Sequence, residues 1–417
     1  MKLSEIITRI TRDRIYSSEY KGDARKNPAD FTRNRKMPFE ELILYMLQSL
    51  KCSTQSALRR FFTNLGKAVT MKQQSLSEAR QKLTVWAFWD LYMLTVKAMT
   101  EHSAKKWHNY RVYAVDGSKV ALPSEEALGE YFGVLGKDGT APTAQGSILY
   151  DVLNDIVADA ALEPMTLCER TLAKNHIEAL ENIAQDDKKL IIFDRGYPSF
   201  ELIEELETRG LFYVMRVKTK FNLDIDAQTG TSGYVWLEQN GKRIHVRVIK
   251  FKLDSGETET LITNIKDARL GKNAFKKLYF MRWPVETKYD IVKNKLQLEN
   301  FNTRTVEGIL QDFFAAMYLA NFAAACAVDA RTDIEEARKD KGNKYQYKAN
   351  LNELIGVLKD RLVLALAEDC PDKQSALVQA ILGEIKGYVI PIRSERSILR
   401  KSSVRNSKFH HNQKSNA

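Results

Sequence analysis

Tyr279, Arg282, Glu286 and Lys293 stand at the spacing Y-x2-R-x3-E-x6-K within YFMRWPVETKYDIVK. Four residues are close to one helical turn and seven close to two, so a continuous helix would line all four along one face. That face carries one carboxylate between two cations and a phenol. Such a set can place a metal-binding carboxylate beside groups that grip phosphate. The competing reading is a solvated helix face of mixed charge. Two further carboxylates shift the balance: Asp116 in AVDGSKVALP and Asp194 in LIIFDRGY each close an apolar run upstream. Three carboxylates suit a hard, oxygen-seeking ion such as Mg²⁺, and clustered carboxylates resist ionising together unless a cation is present. None of the six histidines lies in these motifs, which leaves zinc and histidine-base schemes without support; His176 and His245 read as structural or surface residues. Pro284 lacks a backbone donor and turns Trp283 away from helical dihedrals. Either the helix kinks there or a new one starts at Pro284, which would put Glu286 in a first turn, where an anion is favoured.

These residues resemble a family. Asp116, Asp194 and Glu286, the last within the Y-R-E-K signature, are similar to the catalytic triad of DDE transposases, most specifically those of the IS-four family of bacterial insertion sequences. The resemblance covers roughly Arg111 to Asn321. It implies an RNase H-like catalytic core, with Asp116 and Asp194 at the ends of adjacent strands. It also implies cut-and-paste transposition: metal-dependent cleavage and strand transfer of double-stranded DNA, acting on terminal inverted repeats and a target, by a homodimer holding two ends. Two Mg²⁺ ions roughly 3.5–4 Å apart, for which Mn²⁺ can substitute, would activate the nucleophile and offset phosphoryl charge. Asp116 would bridge both, and Asp194 and Glu286 would each complete one site. Tyr279, Arg282 and Lys293 would position DNA, the cations by gripping phosphate. The rival readings are a non-transposing metal-dependent nuclease of the same fold and a catalytically inactive DNA-binding protein.

The rest of the chain must position those groups. Its 417 residues suffice for two or three domains. A formal charge of +11 points to a polyanionic partner. Cys52, Cys168, Cys326 and Cys370 have no metal-ligand spacing and read as free thiols in a reducing compartment. The N-terminus shows no signal-peptide core, and the apolar run Phe313 to Val328 reads as a buried helix too short to span a bilayer. A bacterial cytoplasmic, nucleoid-associated protein without a membrane partner is expected.

Residues 1–108 read as a helical DNA-binding domain, with helices over Phe39–Leu50, Thr54–Leu65 and Leu76–Met99. Thr54–Leu83 could form a helix-turn-helix that brings Arg59, Arg60, Lys67, Lys72, Arg80 and Lys82 near phosphates. Residues 109–330 read as an α/β core, a mixed sheet flanked by helices: a strand Arg111–Val115, a hairpin over Ser147–Leu162, a helix over Asn175–Ile183, a buried strand Lys188–Phe193, a helix capped by Ser199, and a strand Leu211–Val217. Within it, 221–264 reads as a β-rich insertion with hairpin turns at Asn240-Gly241 and Ser255-Gly256, of the kind IS-four-type enzymes carry. Those enzymes can cut the second strand through a hairpin, which favours an extruded base stacked on an aromatic ring; Trp236 is the candidate. The alternative for Trp236 is a packed strand residue, and Tyr197 is read as equally able to pack or touch DNA. Gly117 and Gly196 are expected to allow tight turns near the phosphate path. Residues 331–392 read as a helical C-terminal region behind a polar linker, Thr332–Asn350, and 393–417 as a basic disordered tail.

Overall fold

The computed structural model describes residues 1–33, 35–68, 70–136, 140–253, 256–339 and 345–393. In chain order the elements are α1 (Leu3–Ile15), α2 (Ser18–Ala24), α3 (Phe39–Gln48), α4 (Thr54–Asn64), α5 (Gln73–Arg80), α6 (Trp86–Glu101), β1 (Tyr110–Ala121), α7 (Glu126–Phe132), β2 (Val134–Leu135), β3 (Ala141–Asp151) and β4 (Ile156–Glu163). There follow α8 (Glu169–Ala179), β5 (Lys188–Phe193), α9 (Phe200–Thr208), β6 (Phe212–Val217), α10 (Leu223–Ala227), β7 (Ser232–Gln239), β8 (Lys242–Lys252) and β9 (Thr258–Thr263). The chain ends with α11 (Lys272–Phe280), α12 (Trp283–Asp290), α13 (Val306–Glu336), β10 (Tyr347–Ala349), α14 (Leu351–Ala367), α15 (Pro371–Ile385) and β11 (Val389–Pro391). Two compact units emerge, one of 103–119 with 145–290, the other of 1–102, 120–144 and 291–417.

The first unit is the α/β one. Its strands run in the order β3-β1-β5-β6-β9-β8-β7, with β4 on the outer side of β3. The pairs β1/β5 and β5/β6 are parallel, while β6/β9, β9/β8, β8/β7 and β3/β4 are antiparallel, so the sheet is mixed. β5 is apolar from Leu190 to Phe193 and buried there on both sides, as a central parallel strand requires. Phe275 and Leu278 of α11 pack on Leu190 and Ile192 of β5 and Val214 of β6, which fixes α11 to the sheet next to the strand that ends before Asp194. Truncating such a side chain to alanine costs about 2–5 kcal/mol. Ser199 caps α9 by accepting from the Leu202 N–H, and Gly210 turns the chain out of the helix at φ +66°. The expected β-rich insertion is made of β7, β8 and β9. β9 pairs with β6 and carries β8 and β7 onward, so the insertion extends the central sheet.

The second unit is helical. α13, 31 residues long, is longer than expected. By length and composition it could cross a membrane, yet 78% of its apolar window is buried inside the protein, and its Asn321 amide donates to Thr95 of α6 at 3.0 Å. Asp329 of α13 accepts the Leu3 and Ser4 N–H groups at 3.1 and 2.7 Å, anchoring the start of α1. α13 also runs to Glu336 and β10 pairs with β11, so much of the expected linker Thr332–Asn350 is structured; its residues 340–344 lie outside the described ones. The expected disordered tail lies outside them too, apart from Arg393.

The long helix expected over Leu76–Met99 is two helices, α5 and α6, with Leu83 buried between them in a bridge to Arg25. Residues 65–72 separate α4 from α5. That is longer than the three- to four-residue turn of a helix-turn-helix, which this pair therefore does not form.

Candidate active site

The signature stretch is not one helix. α11 stops at Phe280, α12 starts at Trp283, and Pro284 occupies its first turn, where the missing N–H has no intrahelical partner to lose. Glu286 lies in that first turn. α12 ends at Asp290 and the chain widens into a π turn, Ile291–Lys295, that contains Lys293. The single face expected for all four signature residues is thus broken twice. Lys293 belongs to the helical unit and pairs with Glu299 at 3.4 Å.

Tyr279, Arg282 and Glu286 converge with the two aspartates inside the α/β unit. Asp116 lies within β1, which continues to Ala121, rather than at its end. Its side chain stands 3.8 Å from the Arg282 guanidinium, which also donates to Glu286 at 2.8 Å. Asp194 follows β5 directly and accepts from the Tyr279 hydroxyl at 3.2 Å. The Tyr289 hydroxyl donates to the Asp116 carbonyl at 3.0 Å and fixes the backbone there.

Burial is the main force pushing the Asp116 carboxyl up to about 6; Arg282 and the Gly117 N–H pull it down, and Glu286 and Glu169 push it up. Burial opposes the charge on Arg282, but Asp194, Tyr279, Asp116 and the Glu286 hydrogen bond outweigh it and raise its pKa. Its Nε and the Tyr197 hydroxyl are buried without a hydrogen-bond partner among the described residues. Tyr197 is buried at 2% exposure, though still beside the site's charges.

Gly117 and Gly196 do not serve as left-handed turns, since neither has a positive φ. Gly117 makes room: a Cβ there would meet the Glu169 carboxylate and the Gln145 amide at 3.0 Å. His176 is fully buried and bridges Asp159, at 2.7 Å, and Ser147, at 2.9 Å, as a structural histidine.

Trp236 lies on β7 with 46% of its surface exposed. It stacks on His245 at 4.6 Å, and the Arg243 guanidinium covers it at 4.9 Å. In the helical unit, Arg80 is not free for phosphate, because it is bound to Gln311 and Asp312 of α13 at 2.9 Å each. Arg60 pairs with Asp360, Lys67 with Glu41 and Lys82 with Asp30, while Arg59 and Lys72 are exposed. A groove of about 1230 Å³ in the same unit is edged by Lys21, Arg33, Arg35, Lys36, Lys72 and Lys82, with Glu78 as its acid.

The family model described as a transposase DDE domain matches residues 107–322, just over half of the 417. The chain belongs to the DDE transposase family. It is a DNA transposase, and its reaction is DNA transposition. A cryo-EM structure of a piggyBac transposase synaptic complex with hairpin DNA matches over 90% of this chain and 85% of that one, at 11% identity and a TM-score of 0.50. At that identity the likeness is one of fold, and it agrees with a mixed sheet flanked by helices around an RNase H-like core. No curated protein matches this chain.

DDE transposases use divalent metal ions. The donor set of Asp116, Asp194 and Glu286 fits such ions in its chemistry, being all carboxylate oxygen. Among the described residues no three His, Cys, Asp or Glu side chains are close enough, as they stand, to hold one ion together. Arg282 instead supplies the positive charge between Asp116 and Glu286.

Proposed function

We propose that this transposase is of the IS-four type and cuts and joins insertion-sequence ends with Asp116, Asp194 and Glu286 as the ligands of Mg²⁺ or Mn²⁺. The observation that carries this reading is the convergence of Asp116 and Glu286 on one buried arginine, in the same unit as Asp194. Asp116, Asp194 and Glu286 would hold a pair of divalent ions, which would supply activation of the attacking water or hydroxyl and offset phosphoryl charge. The Tyr279 hydroxyl orients Asp194. Arg282 keeps Asp116 and Glu286 compensated until metal and DNA arrive, then turns its donors, Nε included, to a backbone phosphate. Lys293 grips a further phosphate. The partners are two transposon ends and a target duplex, held by a dimer in the bacterial cytoplasm, at the nucleoid. A supercoiled-plasmid assay with and without terminal inverted repeats tests this. Repeat-dependent, Mg²⁺-dependent cleavage and joining is expected, and cleavage indifferent to the repeats would mark a nuclease instead.

End recognition falls to the helical unit through its basic groove. Binding of the full chain to end DNA should weaken steeply with salt, because phosphate contacts release counterions. The double substitution Lys36→Ala and Lys72→Ala should reduce the slope of log affinity against log salt by about 2. An unchanged slope measured by anisotropy would remove the groove from the interface.

Trp236 holds an extruded base beside the cut. Stacking of a base on an aromatic ring is worth about 1–3 kcal/mol, so Trp236→Ala should slow second-strand cleavage by about tenfold or more. A folded variant that cuts both strands at the wild-type rate would refute the role.

A further inference from the structure

Lys51 lies in the loop between α3 and α4 and belongs to no signature motif. The loop is fastened through its backbone: the Asn300 and Asn302 amides donate to the Lys51 and Leu50 carbonyls at 3.0 and 2.9 Å. The half-buried side chain lays its ammonium 5.9 Å from the centre of the buried Phe301 ring. Both residues line a groove of about 640 Å³ in the helical unit. The acids of this groove are already engaged, Asp312 with Arg80 at 2.9 Å and Glu307 with Lys26. Its Arg304 pairs with Glu125 at 3.0 Å. Lys51, in contrast, makes no ion pair and no side-chain hydrogen bond among the described residues.

A cation enclosed without a counter-charge costs the fold. Burial is the main force pushing the Lys51 ammonium below its usual value; Asp312 pulls it up and Arg80 pushes it down. Lys359 of α14 repeats the pattern. It too makes no ion pair among the described residues, and burial, followed by the charge of Lys51, pushes it down to about 8. The start of α4 adds to the same positive field. Ser53 and Thr54 line the groove, and the Ser53 hydroxyl pairs with that of Ser56 at 3.0 Å instead of capping the helix. The first turn of α4 holds no acid, so its leading N–H groups have no side-chain acceptor.

The position of the groove indicates what it receives. α5 separates it from the larger basic groove: Ser75, Glu78 and Ala79 line that one, and Gln73, Leu76 and Ser77 line this one. We propose that Lys51 and the start of α4 form a second DNA-backbone site, across α5 from the basic groove, where a phosphate of the bound duplex supplies the missing counter-charge. The step from phosphate to DNA rests on the reading of the basic groove as the DNA-facing one.

The test is binding of a duplex of arbitrary sequence to the full-length protein, by anisotropy over a range of salt, with melting curves recorded without DNA. Lys51→Met keeps most of the side chain's length and loses its charge. It should weaken binding by about tenfold, the lower end of what a hydrogen bond to a charged group contributes, and reduce the slope of log affinity against log salt by about 1. It should melt no lower than wild type, since the charge it loses is uncompensated. Thr54→Glu puts an acid where the helix start favours one and the phosphate would sit; it should weaken binding in the same direction and also melt no lower. Wild-type affinity and slope in Lys51→Met would overturn the proposal, and so would a lower melting temperature with an unchanged slope, which would make the residue structural. Inorganic phosphate that raises the melting temperature of wild type but not of Lys51→Met, with DNA bound equally by both, would assign the site to free phosphate and overturn the DNA reading. An unchanged slope in the Lys36→Ala and Lys72→Ala double variant would instead remove the basic groove, so the two failures are distinguishable.

Discussion

Asp116→Asn, Asp194→Asn and Glu286→Gln should each lower strand cleavage by at least about a thousandfold, the several kcal/mol a metal-held charge contributes in the transition state. Binding to transposon-end DNA should remain largely intact, because the basic groove lies in the other unit. Each substitution keeps the side chain's size and removes one anionic oxygen ligand. The three are not equivalent in their surroundings. Glu286 and Asp116 share Arg282, so losing either leaves the guanidinium paired to the other. Asp194 is held by the Tyr279 hydroxyl, which the amide of Asp194→Asn can still accept from, so this variant tests ligand charge with the least disturbance. Single-turnover cleavage of end DNA with Mg²⁺ or Mn²⁺ measures the loss. Robust cleavage by any one variant would reject that residue as a ligand.

The carboxylates were legible because their local rules agree. β5 reads as a buried strand from its apolar run alone, and a carboxylate just past such a strand stands out. Pro284 marks the start of a helix through its missing donor, and the structure puts Glu286 in that first turn. The extent of β1 was not legible, because Gly117, Ser118 and Lys119 carry no apolar signal although the strand continues through them.

Arg80 was misread for a different reason. On sequence it is one more basic residue on a helix, and its fate depends on the acceptors of α13, more than 200 residues away. The joining of 221–264 to the central sheet was hidden as well, since strand periodicity gives faces but not partners. The break before Lys293 is likewise tertiary: no glycine or proline lies between Glu286 and Lys293 to announce the π turn.

Without metal, the buried Asp116 carboxyl should make the protein less stable as pH rises, and two substitutions should move that behaviour in opposite directions. The folded state raises the Asp116 carboxyl from its usual 3.8 to about 6. A raised carboxyl binds its proton more tightly folded than unfolded, so its contribution to stability is full below about pH 4 and is lost as pH climbs through 6. At neutral pH the ionised, largely buried carboxylate therefore costs the fold up to about 3 kcal/mol. Asp116→Asn cannot ionise. In chelator at pH 7.5 it should melt about 3 °C above wild type, and the difference should shrink towards pH 4. Arg282→Ala removes the cation between Asp116 and Glu286, and breaking a buried pair in this way costs about 3–5 kcal/mol. That variant should melt several degrees below wild type at pH 7.5 and recover part of the loss on acidification, as Asp116 takes up its proton, or on addition of Mg²⁺. Melting curves from pH 4 to 8, with chelator and with Mg²⁺, measure all of this. A gap between Asp116→Asn and wild type that stays flat across pH, or an Arg282→Ala protein as stable as wild type in chelator, would show that the arginine and the aspartate are not the balanced pair their geometry describes.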